Sequence, residues 1–499
     1  MKFTSLAAVV SLLSAAAAVH ENRTFAVLRF TSKPLTIGRA DPIISPGKVS
    51  THVHHILGGS NFGLSSTGED LMKSKCSTAK VKGDNSNYWF PSLYFKDPKS
   101  DNLESVELYY ANVYYFFEPT NDEIKAFPTG LQMVIGDPTV RTPPVTGAES
   151  KLDPSKGPVN PIKWTCPRAD ENQRSWPVNS DGLMAGMQDP HNNGEGVGFP
   201  DVTCDRENSP LRADIHFPSC YNPKAGITDY KNNMAWPQDN HGKADCPEGY
   251  IHLPHLFYEV YWNTPAFAGR WEEGRGKQPF VLANGDATGY SLHADFMSGW
   301  DEALLQHIID TCDVGTSGMK NCEGLFYGQN KDECTIESPV SEKVTGILSS
   351  LPGNNPLSGW SYGTSIQSSD SSQGKPAPAP SSKVPKSSPA ASSAPFSSTA
   401  QSASSEASSQ PTSSSESGFP VASSSVIVHA LHIYKAVTVD GSAPTSTKTD
   451  SAGNEVGGFK YAGNELDDAE RLDDSVYSTA GEANAGETKS PTGVRGARF

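Results

Sequence analysis

The 499-residue sequence lacks any apolar run long enough to cross a membrane. A membrane-spanning helix needs about 20 apolar residues, whereas the first apolar run, from Leu6 to Leu13, is much shorter. With the charged Lys2 before it and three alanines at positions 16–18 after it, this run is typical of a secretory signal peptide. We therefore predict that residues 1–18 are a signal peptide and that the mature protein is secreted, either extracellular or bound to a cell wall.

Close cysteine pairs of the C-x-x-C type are also missing, which argues against a cysteine-ligated zinc site. The eight cysteines all lie between Cys76 and Cys334, and their even number favours disulfide bonds in an oxidising compartment. Eight cysteines allow about 105 pairings, so the sequence leaves the pairing open. Asn22-Arg23-Thr24 is an N-glycosylation site, which fits a secreted glycoprotein.

An excess of positive charge is lacking as well. The formal net charge is −16, which argues against nucleic acid or an anionic membrane as the partner. The sequence has no P-loop, no dinucleotide fingerprint, no G-x-S-x-G elbow and no H-E-x-x-H motif. These absences exclude the function classes that depend on those motifs and leave the reaction open.

The composition divides the chain into three parts after the signal peptide. Residues 36–335 contain nearly all the aromatic residues and every cysteine, so we expect one globular domain there. Residues 363–425 are dominated by Ser, Ala and Pro, which predicts an unfolded, O-glycosylated stalk. Residues 426–499 are acidic and rich in Gly, and we predict a disordered C-terminal tail without the hydrophobic end of a glycolipid anchor signal.

Strand-like runs dominate the part that is expected to fold. Residues 105–117, 131–135, 256–262 and 280–282 are rich in β-branched and aromatic side chains. Residues 301–312 predict a helix, because acidic residues open the segment and apolar residues recur at helical spacing. Many short strands and few helices predict a mostly β fold, an antiparallel sandwich or jelly-roll-like single domain.

The densest group of polar residues lies in residues 281–301. His293 and Asp295 share one face of an extended segment, and a carboxylate beside an imidazole raises its basicity and fixes its tautomer. We therefore expect His293 to be a catalytic base that is oriented by Asp295, with Asp286 as a further catalytic residue. The alternative is that Asp286 only caps a turn and Asp301 a helix.

A pair of histidines near the start of the domain has the spacing of metal ligands. His52 and His54 would project together from one face of a strand, with His55 on the other face. Two imidazoles at this spacing can bind one divalent metal ion. The alternative is that they are structural histidines held by hydrogen bonds.

A third pattern alternates along residues 211–220. Arg212, Asp214 and His216 would form one polar row on a strand. We interpret His216 as a catalytic residue and Arg212 and Asp214 as substrate-binding residues, or else the row is an exposed sheet face on which an Arg–Asp pair orients the histidine. The histidines of residues 252–255 are expected to be structural, because the proline between them opposes the helix that would align them.

Several short motifs appear in a fixed order along residues 39–312. They include Arg39-Ala-Asp41-Pro42, His52-Val53-His54, Gly58-Gly59-Ser60-Asn61-Phe62, Tyr88-Trp89-Phe-Pro91, His216-Phe217-Pro218-Ser219-Cys220, Met234-Ala235-Trp236-Pro237 and Gly285-Asp286-Ala-Thr-Gly289-Tyr290. In these motifs the sequence resembles a fungal secreted family known as domain of unknown function (DUF1996). The resemblance implies a fungal extracellular or cell-wall protein without a settled activity. Members often carry Asp-His-x-Ser-His where this chain has DYKNN at residues 229–233, so two histidines of the pattern are missing.

Two functions fit these features. Aromatic residues near the polar rows suit stacking on sugars (Trp89, Trp236, Trp262 and Trp300), and carboxylates suit glycosidic acid–base chemistry. The first hypothesis is therefore a hydrolase or lyase that acts on a carbohydrate polymer, with a divalent metal as a candidate cofactor. It predicts one cleft in which these residues meet: His52, His54, His216, Asp286, His293 and Asp295. The second hypothesis is a non-catalytic carbohydrate-binding or cell-wall structural protein. The sequence does not decide whether the protein is an enzyme.

Overall fold

The structure is a computed structural model, and it describes residues 24–117 and 120–360. The predicted signal peptide, glycosylation site, stalk and C-terminal tail lie outside the described residues. Within these two ranges, no helix is both long enough and apolar enough to cross a membrane.

The described residues form 21 short strands. In chain order they are β1 (Phe25–Arg29), β2 (Thr36–Gly38), β3 (His54–Gly58), β4 (Asn87–Pro91), β5 (Leu93–Lys96), β6 (Leu103–Ser105), β7 (Leu108–Phe116), β8 (Gln132–Gly136), β9 (Ile162–Thr165), β10 (Met187–Gln188), β11 (Glu195–Val197), β12 (Arg212–His216), β13 (Cys220–Tyr221), β14 (Met234–Ala235), β15 (Gln238–Asn240), β16 (Lys243–Asp245), β17 (Ile251–His252), β18 (His255–Trp262), β19 (Phe280–Leu282), β20 (His293–Met297) and β21 (Ile347–Leu348).

Helices are few in the same part of the chain. The α-helices are α1 (Gly68–Leu71) and α2 (Glu302–Thr311), and the short 3-10 helices are Pro154–Lys156, Thr264–Phe267, Met319–Asn321 and Pro352–Asn354. The paired strands named above run antiparallel to one another. The prediction of a mostly β, antiparallel fold with few helices is therefore confirmed.

Two large sheets form the layers of the fold. One has seven strands in the order β1-β7-β18-β12-β9-β11-β10, and the other has five in the order β2-β3-β4-β20-β8. Aromatic contacts join them: the rings of Tyr88 and Tyr258 lie 5.8 Å apart, and those of His55 and Trp262 lie 5.0 Å apart. The Tyr258 hydroxyl also donates to the backbone carbonyl of Asp295 at 3.1 Å. The main hydrophobic core lies between these inner faces.

Strand alternation decides which face each side chain joins, since successive residues of a strand point to opposite sides. On β12, Ala213 and Ile215 join the main core, so the residues between them face the other way. On β20, Ala294 and Phe296 do the same. The histidines and carboxylates at the alternate positions are consequently directed to the outer faces of the two sheets.

A second, smaller apolar cluster covers the outer face of the five-stranded sheet. Trp89 and Met297 of the sheet pack there with Leu35, Ala40 and Phe62. These three residues come from the first part of the domain, which folds over the sheet. Polar side chains on this outer face are therefore buried as well.

Helix α2 begins at an aspartate, as the sequence indicates. The carboxylate of Asp301 accepts a hydrogen bond from the backbone N–H of Leu304 at 3.0 Å, which satisfies one of the free donors at a helix start. Leu304 and Ile308, one turn apart, lie in the core. This outcome corresponds to the alternative in which Asp301 is a cap.

The eight cysteines form four disulfide bonds: Cys76–Cys334, Cys166–Cys204, Cys220–Cys246 and Cys312–Cys322. The first joins residues 258 positions apart, and the last joins residues only 10 apart. A crosslink restricts the unfolded chain more strongly when the loop that it closes is longer. The Cys76–Cys334 bond should thus contribute most to stability.

The two disulfides with the longest and shortest loops provide a matched test. In the chain-entropy model, the bonds should contribute about 5.5 and about 2.7 kcal/mol, respectively. Replacing Cys76 and Cys334 by serine should therefore lower the free energy of unfolding more than replacing Cys312 and Cys322 by serine, as measured by urea denaturation. An equal or reversed order would show that loop length does not set these contributions.

Candidate functional site

An aromatic patch lies on the outer face of the seven-stranded sheet. Its seven rings belong to Phe25, Tyr114, Phe116, His216, Trp236, His255 and Phe257. His216 stacks on Phe257 with ring centroids 4.2 Å apart, and the Trp236 ring lies 6.4 Å from that of His255. Tyr114 is 5.6 Å from Phe257 on the neighbouring strand. All but His255 and Phe257 are partly exposed, so the patch meets solvent.

Two histidines of this patch contact each other directly. Nδ1 of His216 lies 3.0 Å from Nε2 of His255, so one ring donates a proton to the other. Burial, followed by the nearby charge of His255, lowers the pKa of His216 well below its ordinary value. His216 is therefore neutral at neutral pH and can accept or relay a proton. The sequence alone did not identify His255 as its hydrogen-bond partner.

A buried ionic group adjoins the aromatic patch. Nε of Arg212 lies 2.5 Å from Asp214, and its Nη1 lies 2.7 Å from Glu259. Asp214 on β12 is directly opposite Glu259 on β18 in the strand register. The Thr165 hydroxyl donates to Asp214, and the Tyr261 hydroxyl lies 3.1 Å from Nη1 of Arg212. The row predicted along β12 is thus completed by residues from its neighbouring strands.

The two carboxylates of this group share one arginine. Burial raises the pKa of Asp214 to about 6, although Arg212 opposes the change. A carboxyl group with such a pKa exchanges its proton in the mildly acidic range, which suits a general acid. This group therefore has the chemistry for acid–base work.

A histidine cluster lies on the outer face of the five-stranded sheet. We use this name for His52, His54 and His293 with the adjacent Asp41 and Asp295. Nε2 of His52 lies 2.9 Å from Nε2 of His293. The ring of His54 is centred 4.4 Å from that of His52 and 5.9 Å from that of His293. One potential ligand atom from each of the three histidines lies within 4.8 Å of the others.

The hydrogen bonds around this cluster are unevenly distributed. His293 Nδ1 is 2.8 Å from the backbone carbonyl of Ser291, to which it must donate, so its Nε2 carries a lone pair. His52 Nδ1 lies 3.0 Å from the Thr51 hydroxyl. Neither ring nitrogen of His54 and neither carboxylate oxygen of Asp295 has a partner at hydrogen-bond geometry among the described residues. Asp295 therefore does not orient His293, contrary to the expected base–orienter pair.

Burial controls the ionisation of the cluster. It lowers the pKa of His293 to about 4, with the Ser291 backbone acting the other way. Burial and then the charge of His293 lower the pKa of His54 well below its ordinary value, opposed by the nearby Ala40 backbone. Burial and then the charge of Asp41 raise the pKa of Asp295 well above its ordinary value. All three groups are thus driven towards their neutral forms.

Asp286, expected as a catalytic residue, has a structural arrangement. One of its oxygens accepts from the backbone N–H of Thr288 at 2.7 Å, and the other accepts from that of Ser291 at 2.9 Å. Arg141 lies 3.6 Å from the same carboxylate. Asp286 is fully buried, and its oxygens are occupied by the turn that they hold. It supports the loop that carries Ser291, the hydrogen-bond partner of His293.

The structure separates residues that we expected in one site. His216, Arg212, Asp214 and Trp236 belong to the face of the seven-stranded sheet, whereas the histidine cluster lies on the opposite outer face, with the main core between them. The patterns did not group three residues with these sites: Asp41, His255 and Glu259. Their contacts depend on which strands become neighbours, and a local spacing carries no such signal.

Comparison with known proteins gives one match. A family model described as a domain of unknown function (DUF1996) matches residues 41–300. No curated protein matches, and no solved structure does. The matched residues include the whole histidine cluster, the buried ionic group and all of the aromatic patch except Phe25.

The shared arginine provides a stability test. Replacing Arg212 by methionine leaves two buried carboxylates without a cation, and we expect a loss of about 3–5 kcal/mol in the free energy of unfolding. Burial raises the pKa of Asp214 to about 6 in the folded protein and Arg212 lowers it, so this pKa rises further when the arginine is removed. At about pH 7 the variant must then bury a carboxylate without its cation or keep the proton, whereas at about pH 5 Asp214 is protonated with or without Arg212. The loss should therefore be larger at about pH 7 than at about pH 5.

The control for this measurement is an exposed ion pair. Arg206 lies 3.2 Å from Glu171, with both side chains well exposed. Arg206→Met should change the free energy of unfolding by less than about 1 kcal/mol. If Arg212→Met has an equally small effect at either pH, the buried ionic group does not contribute to stability as argued.

Proposed function

Since the chain belongs to the DUF1996 family, whose description names no activity, we propose from its geometry that it cleaves a neutral carbohydrate polymer. The site is the outer face of the seven-stranded sheet. One observation carries the proposal: Asp214 and Glu259 face each other across two strands, share Arg212, and lie beside a partly exposed aromatic patch. Aromatic surface to stack sugars and paired carboxyl groups to cleave a glycosidic bond are the elements that such an enzyme needs.

The two carboxyl groups have complementary roles in this proposal. Asp214 protonates the leaving oxygen, because burial holds its pKa at about 6. Glu259, which Arg212 holds in place at 2.7 Å, attacks the sugar as nucleophile and forms a glycosyl ester. Water then hydrolyses this ester, with the ionised Asp214 taking the proton from the water and so regaining its acid form. A carboxylate that attacks the sugar and is then displaced by water inverts the anomeric carbon twice. The proposal therefore implies retention of the anomeric configuration.

The charge of this face favours a neutral polymer. Beside the arginine and the two carboxyl groups of the buried ionic group, the same face has Lys163 in contact with Asp189 and Glu195. With Asp214 protonated, three carboxylates therefore face two cations. Such an excess repels polyanions such as nucleic acid or polyuronides. Neutral sugars bind mainly by stacking and hydrogen bonds and are not repelled.

We further propose that the protein acts outside the cell. Four disulfide bonds suit an oxidising compartment, and the first residues of the sequence have the composition of a signal peptide. A cell-wall polysaccharide is the neutral polymer that a secreted protein of this kind would meet.

A second candidate is a non-catalytic carbohydrate-binding protein. It is favoured by the burial of Asp214 and Glu259, both at most 4% exposed, which limits access to a sugar. In this case Arg212 neutralises a structural ionic group, and only the aromatic patch binds the polymer. Binding without product formation would distinguish this candidate from the hydrolase.

The test uses the secreted full-length protein with β-glucan, chitin, cellulose and mannan, and polygalacturonate as the polyanion. We expect release of reducing ends from one neutral polymer, with activity that falls as the pH rises through about 6, because Asp214 must be protonated. Asp214→Asn and Glu259→Gln should each lower turnover by about 10²–10⁴. If these two variants still bind the polymer, the carboxyl groups act in cleavage and are not needed for binding.

A matched pair of aromatic variants tests recognition. Trp236→Ala should weaken binding to the polymer in sedimentation assays, whereas Tyr109→Ala should not, because Tyr109 is exposed on β7 but lies outside the aromatic patch. If neither binding nor product appears with any neutral polymer, or if polygalacturonate alone is cleaved, the proposal is wrong.

A further inference from the structure

The proposed carbohydrate chemistry leaves the histidine cluster without a role. This cluster lies on the other outer face, and its members are almost fully buried: His52 is 5% exposed, His54 0%, His293 4% and Asp295 1%. Burying three imidazoles and a carboxylate together is unfavourable unless their polar atoms are satisfied. Their geometry therefore needs an explanation of its own.

The short contact between His52 and His293 has two explanations. Because Nδ1 of His293 donates to the Ser291 carbonyl, its Nε2 presents a lone pair to Nε2 of His52, 2.9 Å away. Either His52 carries a proton there, or a cation lies beside both nitrogens. Zinc–nitrogen bonds of about 2.0–2.1 Å at the tetrahedral angle place two ligand nitrogens about 3.3–3.4 Å apart, so the two rings have to separate by only about 0.4 Å to share a metal ion.

A proton on His52 accounts for only part of the cluster. It leaves both oxygens of Asp295 without a partner among the described residues, and it leaves a lone pair on His54, whose other nitrogen is near the Ala40 backbone. Each such buried polar group costs about 1–3 kcal/mol. A cation removes most of this cost at once, because it accepts a lone pair from His54 and gives the Asp295 carboxylate a nearby opposite charge.

We propose that His52, His54 and His293 bind one divalent late transition-metal ion of the zinc class, with Asp295 as its counter-charge. Three imidazole nitrogens favour zinc, copper, nickel and cobalt, whereas calcium and magnesium prefer sites made of oxygen ligands. The carbonyl bond that fixes His293 is the outer contact that ligating histidines commonly make. Asp41 and Asp295 both approach His54, so the ion's charge is balanced on that side.

The ion joins segments that are distant in the chain. His52 precedes β3, His54 begins that strand, and His293 begins β20. The metal thus fastens the first part of the domain, which covers the five-stranded sheet, to the sheet itself. Its role is to hold the fold together, and the inference does not rest on the proposed carbohydrate activity.

The experiment uses the full-length protein after removal of metal by a strong chelator. Titration with Co²⁺, followed by absorption spectroscopy, and with Zn²⁺, followed by native mass spectrometry, should give one ion per chain. Bound Co²⁺ should show visible bands of nitrogen ligation, and Zn²⁺ should raise the thermal midpoint in proportion to its affinity. Ca²⁺ should do neither.

Variants connect the binding to these residues. His52→Gln and His293→Gln should lose the cobalt bands and the thermal shift, whereas His191→Gln, which changes an exposed histidine, should keep both. Asp295→Asn keeps the shape of the side chain and removes its charge, and it should weaken zinc binding about 10–100-fold. If the histidine variants do not fold, Asp295→Asn still tests whether this cluster binds the metal.

The inference is overturned if the chelator-treated wild-type protein binds no cobalt or zinc, or binds them without nitrogen bands in the cobalt spectrum. It is also overturned if Asp295→Asn binds zinc as tightly as the wild type and the folded His52→Gln variant retains the ion. Loss of polysaccharide cleavage would bear only on the proposed function, because the metal measurements need no substrate.

Discussion

One constraint arranges both polar clusters: two sheets share a single core and each strand can bury only alternate residues in it. Ala213 and Ile215 on β12, and Phe296 on β20, belong to that core. The polar residues between them are forced outward, to one face or the other. Because the sheets lie on opposite sides of the core, the outward-facing residues of β12 and of β20 cannot meet, however well their chemistry matches.

Local spacing was sufficient to predict much of this arrangement. Strand-rich composition indicates antiparallel sheets, and α2 begins directly after Asp301, whose side chain caps its first turn. The alternation of Arg212, Asp214 and His216 gives the row that lies on one face of β12. In each case a few neighbouring residues determine the outcome, so the information is present in the sequence.

The partners across strands could not be predicted in this way. Glu259 meets Arg212 only because β18 lies next to β12, and His255 meets His216 for the same reason. Asp41 reaches the histidine cluster because the first part of the domain folds over the five-stranded sheet. Periodicity gives the face of a side chain but not the sheet to which its strand belongs. The hypothesis of one site that combines His216 with His293 exceeded what the patterns could support.

The two clusters differ in how their buried charges are compensated, and this difference separates their proposed roles. Arg212 contacts both Asp214 and Glu259, so that group is complete and one of its carboxyl groups retains a proton that it can release. The histidine cluster contains no cation among its members, and His54 and Asp295 remain without partners. A buried group that already balances its charge can perform acid–base chemistry on a substrate. A buried group of neutral imidazoles beside a carboxyl group that lacks a hydrogen-bond partner offers lone pairs and a proton that a metal ion can displace, and a metal ion is therefore the complement that we propose for that face.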